Sequence, residues 1–288
     1  MTSLKPLLVL LNLSIISITF AQQDPLLTNY WNNLSFFNPA ATGLYYKHQA
    51  AVNYRNQWNK VNGAPNTLIA GYNTKIDKIH GGIGFNYQYE TIGFNQVHRL
   101  DVNYGYHFNL GNDRVISAGI SAGVQRFGVD PTWIPPVTVQ DPSLPQGSTQ
   151  YSFLSNIGVV YKGNSLSVGL SSTQFLSSER KSNFYTSSRH YNLFAAYDIK
   201  IGNKFVLKPQ FIVRTDLVKM SADCNLLARY NNRFWVGVIY RTADAVGFTA
   251  GWDIKERYRV GYSFDYTINQ LSSISRGTHE IVLGFLLK

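Results

Sequence analysis

A two-residue alternation of apolar and polar side chains, repeated from about residue 48 to the end, constrains this chain more than any other feature. Within 114–124, Ile116, Ala118, Ile120, Ala122 and Val124 share one face, and Ser117, Gly119, Ser121 and Gly123 share the other. Within 205–214, Phe205, Leu207, Phe211 and Val213 oppose Lys208, Gln210 and Arg214. Within 257–268, Tyr258, Val260, Tyr262, Phe264 and Tyr266 oppose Arg257, Arg259, Ser263 and Asp265. A period of two belongs to β-strands, whose successive side chains leave opposite faces. Pro209 interrupts one pattern on its apolar face and has no N–H to give a ladder.

The pattern predicts about fourteen strands, near 48–57, 66–75, 79–90, 96–109, 113–126, 150–161, 164–175, 189–200, 204–214, 219–230, 233–241, 245–254, 257–268 and 278–288. Each runs for roughly nine to twelve residues, the length a tilted strand needs to cross a bilayer. No helical period intervenes, so the strands are expected to be antiparallel. Connections after the even strands are tight, at 110–113, 161–164, 201–204, 230–233 and 255–257, and several carry the Gly and Asn that hairpin turns need. Connections after several odd strands are longer, at 127–149, 176–188 and 269–277. Short turns at one end and long loops at the other are the pattern of a transmembrane barrel, with the turns expected on the periplasmic side.

Alternation alone does not say which face is outside. A soluble sandwich or barrel buries its apolar face, whereas a membrane barrel turns it to lipid. Composition separates the two. Only 15% of the 288 residues are charged, against about 25% in ordinary soluble domains. The 19 Tyr and 17 Phe each outnumber the 16 Asp and Glu together, which suits interfacial aromatic girdles. The mean hydropathy of -0.14 is the middling value that two opposed faces average to. A single cysteine, Cys224, excludes an internal disulfide framework.

Residues 1–21 read as a secretory signal peptide: Lys5 precedes an apolar run that begins at Leu7, and Thr19 and Ala21 stand where a cut needs small residues. Segment 22–47 has no period and is expected to be an extended stretch on the periplasmic side or folded into the lumen; 48–288 is the barrel. Loop 127–149 holds half the prolines of the chain, and its Trp133 is placed to pack on the barrel mouth.

The polar face carries Arg55, Arg99, Asp101, His107, His190, Asp198, Lys208, Arg214, Asp223, Arg229, Arg241, Asp253, Arg257, Arg259, Asp265 and Glu280. In a barrel these line the lumen, because a charge at the lipid midplane costs on the order of 2–4 kcal/mol. They make either a basic channel for anions or acidic peptides, or a network of paired charges that braces the interior. The histidines lack the carboxylate spacing of a metal triad, so no metal is expected. No strained serine elbow occurs, and Gly81, Gly82 and Gly84 lie within a strand with no helix after them. Neither catalysis nor a cofactor is expected. Those glycines let a strand curve or a neighbour come close. Trp58, Tyr104, Tyr106, Trp235, Tyr240, Trp252 and Tyr258 lie near strand ends, where two girdles would sit.

Asp24-Pro25, then Tyr30, Asn38-Pro39-Ala40 and Gly43, resemble the start of the PorP/SprF family of type IX secretion system membrane proteins. Arg55-Asn56-Gln57-Trp58, after Tyr54, is similar to the family's first-strand signature, and Thr278-His279-Glu280-Ile281 to its last. One departure is the end of the chain, which closes on Lys288 rather than on an aromatic residue. The resemblance implies an outer-membrane barrel of Bacteroidota. It implies a non-enzymatic role in secretion or surface attachment of cargo such as gliding adhesins. Its partners would be cargo with a C-terminal sorting domain, other type IX components and membrane lipid, but no nucleic acid. The rival reading is a passive porin with a basic lumen. Trp133, Arg180, Lys181, Phe184 and Tyr185 in the long loops, and Arg257 and Arg259 in the lumen, are the candidate partner-binding residues.

Overall fold

The computed structural model describes residues 25–130, 149–176 and 189–287. The alternating segments become β1 (His48–Asn56), β2 (Asn66–Ile76), β3 (Gly81–Ile92), β4 (Asn95–Gly111) and β5 (Arg114–Val129). Next come β6 (Gln150–Lys162), β7 (Leu166–Thr173), β8 (His190–Tyr197), β9 (Ile199–Ile201) and β10 (Phe205–Thr215). The wall ends with β11 (Met220–Tyr230), β12 (Phe234–Arg241), β13 (Ala245–Ile254), β14 (Tyr258–Thr267) and β15 (Thr278–Leu287). Neighbours pair antiparallel, and β1 also pairs with β15, Arg55 opposite Glu280, so the sheet closes on itself. The segments β8 and β9 both pair with β10 and form one stave, which makes fourteen staves in all. Their ladder breaks between Ala196 and Ile199, beside Lys208 and Pro209, where proline has no N–H to contribute.

The two faces of the wall are the inverse of a soluble barrel. Val102, Ile120, Val124, Val236, Val238, Ile281 and Leu283 are exposed, while Asn53, Arg55, Asn86, Asp101, Asp223 and Glu280 are buried inside. Apolar residues outside and charges inside fit lipid around the barrel. No helix among the described residues is long and apolar enough to cross a membrane.

One end of the barrel carries the tight turns. Asn112 and Asp113, Asn231 and Asn232, and Lys255 and Glu256 all take positive φ there. The first two pairs are residue types that tolerate this conformation, whereas Lys255 and Glu256 adopt it without that preference. The other end holds the connections 57–65 and 268–277. It also includes short ones at 93–94, 216–219 and 242–244, so the contrast between the ends is less even than the sequence suggests. Strand β5 runs on to Val129, past the predicted loop start at 127. Most of the two longest loops, 131–148 and 177–188, lies outside the described residues.

Residues 25–47 lie within the barrel. They are not simply extended: they form short helical turns at Tyr30–Asn33, Leu34–Phe37 and Pro39–Ala41. The Asn38 side chain accepts the Ala40 N–H at 3.0 Å, and Pro39 opens the last turn with its φ already set. Leu26 lies beside Thr215 and Lys219 near the long-loop end, and Lys47 leaves at the tight-turn end to start β1. The apolar core is therefore lumenal. Leu27, Tyr30, Phe36, Phe37, Ala40 and Leu44 of this plug pack on Ile69, Val160, Phe194 and Ile212 of the wall.

Candidate functional site: the plug and its anchors

Two kinds of wall hold the plug. The first is charged and centres on the β1–β15 seam. Glu280 accepts the backbone N–H of Thr28 at 2.7 Å and of Asn29 at 2.9 Å. Arg55 donates to Glu280 at 3.2 Å, to Asp265 at 2.9 Å and to the Thr28 hydroxyl at 2.9 Å. Arg241 bridges Asp265 at 3.2 Å to Asp223 at 3.0 Å, and Asp223 also takes Arg214 at 2.7 Å. Asp253 pairs with both Arg229 and Arg259 at 2.7 Å. These carboxylates and all of these arginines except Arg229 are nearly inaccessible, so each charge needs its partner. Asn29 adds side-chain hydrogen bonds with Ser263 and Thr249, and the Asn32 carbonyl accepts from Gln49.

The second wall, β2 to β7, grips by close approach. A Cβ at Gly119 would lie 2.2 Å from the Ala40 nitrogen, at Gly158 2.1 Å from Asn38 Oδ1, and at Gly82 2.5 Å from the Thr42 carbonyl oxygen. Gly43, at φ +68°, turns the plug against Gly82. The absent side chains leave room for plug backbone, and hydroxyls between them satisfy it. Ser117 donates to the Ala40 carbonyl at 2.7 Å, and Ser171 donates to that of Phe37 at 2.6 Å. Asn38 donates to the Val159 and Leu170 carbonyls, each at 3.1 Å. Arg99, paired with Asp101 at 3.1 Å, lies 4.9 Å above the Phe36 ring.

The predicted polar-face charges are lumenal apart from Arg257, which is exposed in the turn before β14; the turn flips it out of the strand's register. Of the two readings of the lumenal charges, the pairing network describes most of the buried arginines, which meet carboxylates. Trp235 is no girdle residue. It is 2% exposed, faces inward and meets Trp31 edge-on at 5.5 Å. Arg259 stacks on both rings, 4.8 Å from Trp31 and 5.4 Å from Trp235. Tyr104, Tyr106, Tyr240, Trp252 and Tyr258 do line the exterior. Outside the wall, His98 pairs with Tyr87 at 2.9 Å and His279 with Tyr262 at 2.7 Å. In the turn at 77–80, an exposed hydrogen bond from Lys75 holds the Asp77 carboxyl below its ordinary range and adds little to stability.

Pro25, Asn38, Pro39, Ala40, Arg55 and Glu280, scattered in sequence, belong to the plug or its anchors. Asn56, Gln57 and Trp58 close β1 at the long-loop end, where Trp58 donates its N–H to the Thr278 hydroxyl at 3.0 Å. Asp24, Trp133, Arg180, Lys181, Phe184 and Tyr185 lie outside the described residues. Among the described residues no group of His, Cys, Asp and Glu is placed to hold a metal.

The family model for the type IX secretion system membrane protein PorP/SprF matches residues 19–285. The chain belongs to this family. The match runs through both the plug and the closing strands. Among solved structures, the outer membrane protein Omp33 of Acinetobacter baumannii is similar at a TM-score of 0.51 and 10% identity, over 85% of this chain and 100% of that one. The KdgM porin in complex with disordered oligogalacturonate aligns at 0.42 and 7% identity, over 83% and 99%, too distant to carry an argument. Omp33 supports the fold alone, that of an outer-membrane barrel; this fold and membership of a membrane-protein family together support an outer-membrane location. No curated protein matches the chain.

Proposed function

We propose that this PorP/SprF protein is a non-enzymatic accessory of type IX secretion in a member of the Bacteroidota. It helps to export, or holds at the surface, cargo that carries a C-terminal sorting domain, such as adhesins of gliding motility. The observation that carries this reading is the filled lumen of a barrel from a secretion family. A passive porin with a basic bore needs a path lined by unpaired cations. Here the bore holds residues 25–47, and most of the buried arginines are spent on carboxylates. The work is then left to the ends of the barrel. The sequence of the two longest loops, with Trp133, Arg180, Lys181, Phe184 and Tyr185, has the mix of charged and aromatic residues that protein partners use.

Deletion in the native organism is expected to remove a secreted surface protein while small-solute uptake stays unchanged. Reduced uptake with normal secretion would favour the porin, and lipid hydrolysis by the purified barrel would overturn the non-enzymatic reading. Shortening loops 127–149 and 176–188 separately, with every strand intact, should lower surface cargo without lowering barrel abundance. Full cargo on both shortened barrels would move the partner site to the other end.

A further inference from the structure

A cavity of about 100 Å³ lies between the plug and the wall, toward the tight-turn end. Tyr30, Trp31, Tyr45, Trp235 and the stacked Arg259 line it, with Lys208 and Arg229 nearer the turns. Four donors of its lining lack acceptors. Trp31 Nε1, Trp235 Nε1, Gln210 Nε2 and Arg229 Nε are each buried and have no hydrogen-bond partner. Trp235 and Gln210 are 2% and 5% exposed, so water does not compensate them from bulk, and an orphaned buried donor is costly. Arg229 and Arg259 share the single carboxylate of Asp253, which leaves one positive charge over beside the cavity. Lys208 pairs with Asp198 at 3.1 Å and is 28% exposed, so the entrance is wet.

The surface around that entrance is basic. Lys47, Lys75, Lys78, Arg114, Lys200, Lys204, Arg233, Lys255 and Arg257 are all exposed at this end, against exposed Asp77, Asp113 and Glu256. A ring of one sign attracts an opposite charge from a distance, and less so as salt rises.

We propose that the cavity binds the terminal carboxylate of an acidic peptide segment that the basic turns collect. The unpartnered indole, amide and guanidinium N–H groups would receive the carboxylate oxygens, between the aromatic walls. The volume suits one carboxylate and little more. The site rests on the family's work with protein partners, but it lies at the end of the barrel opposite the long loops.

The test uses the full mature barrel in detergent and follows tryptophan fluorescence, since Trp31 and Trp235 line the site. The probes are an aspartate-rich decapeptide with a free C-terminus, the same peptide amidated, and succinate. The free peptide is expected to bind roughly tenfold more tightly than the amide, the effect of a charged hydrogen-bonded group. Gln210→Leu and Trp235→Phe should each weaken it several-fold while heat-modifiable gel mobility shows the barrel folded. Salt should weaken the peptide more than succinate. Equal binding of acid and amide would overturn the site, as would variants that fold and bind unchanged. Succinate as tight as the peptide would overturn the peptide as ligand. Full surface cargo on the loop-shortened barrels, with peptide binding intact, would support this site and count against the loop reading instead.

Discussion

The two walls that hold the plug solve one problem with opposite chemistry. Around the seam, Arg55, Arg241, Asp223, Asp265 and Glu280 fix the plug through ion pairs and charge-assisted hydrogen bonds. Across the bore, Gly82, Gly119 and Gly158 let plug backbone lie directly on the strands. A charged grip is specific and fails abruptly, because the loss of one member leaves the others buried and unpaired. A steric grip fails by overpacking, which displaces the plug rather than leaving a charge unpaired. The charged wall should therefore govern stability, and the glycine wall should govern whether the plug stays in.

The largest effect is expected from Glu280→Ala. It leaves Arg55 short of one partner and orphans the N–H groups of Thr28 and Asn29, a loss of about 3–5 kcal/mol. Thermal loss of the folded gel form should show it, and Glu280→Gln, which keeps the shape and an acceptor, should be milder. Unequal stability of these two variants is what the charged grip requires.

Gly119→Val comes next. Its new Cβ meets Ala40, and overpacking of this kind costs about 1–3 kcal/mol, but the plug can leave and relieve it. The expected outcome is a folded barrel in which a cysteine at position 40 becomes reactive to a bulky maleimide, in a Cys224→Ser background. Ser171→Ala removes one hydrogen bond to the Phe37 carbonyl and should cost about 1 kcal/mol. The smallest effect is expected outside, where Val238→Ala on the exposed face should change stability by no more than about 0.5 kcal/mol. A lipid-face change as damaging as Ser171→Ala would mean that the faces are assigned wrongly.

The staves were legible in the sequence because a membrane barrel writes its two faces into every strand. The plug contacts were not, because they appear where the alternation lapses. Val159-Val160, Leu193-Phe194 and Phe211-Ile212 are apolar doublets in which the first residue faces out and the second is buried in the lumen. Period-two reasoning sees these as noise, yet each marks a point where the wall meets plug residues. Trp235 was misread for the same reason: an aromatic near a strand end looks like a girdle until parity places it on the face of Ile239 and Arg241. Arg257 shows the converse, since two more residues of alternation reach Arg259 inside, but the turn has already released Arg257. The glycines at 81–84 were read as places of close approach, and Gly82 is where Thr42 and Gly43 of the plug lie.

The central claim is that residues 25–47 sit in the bore, anchored at the seam. A cysteine pair replacing Asn29 and Ser263, whose side chains are hydrogen-bonded, tests it most directly in the Cys224→Ser background. Mild oxidation of intact outer membranes should join the two cysteines, and mass spectrometry should recover the plug peptide linked to the β14 peptide. Two free thiols after oxidation, with the cysteine at position 29 open to a bulky maleimide in the folded barrel, would contradict it.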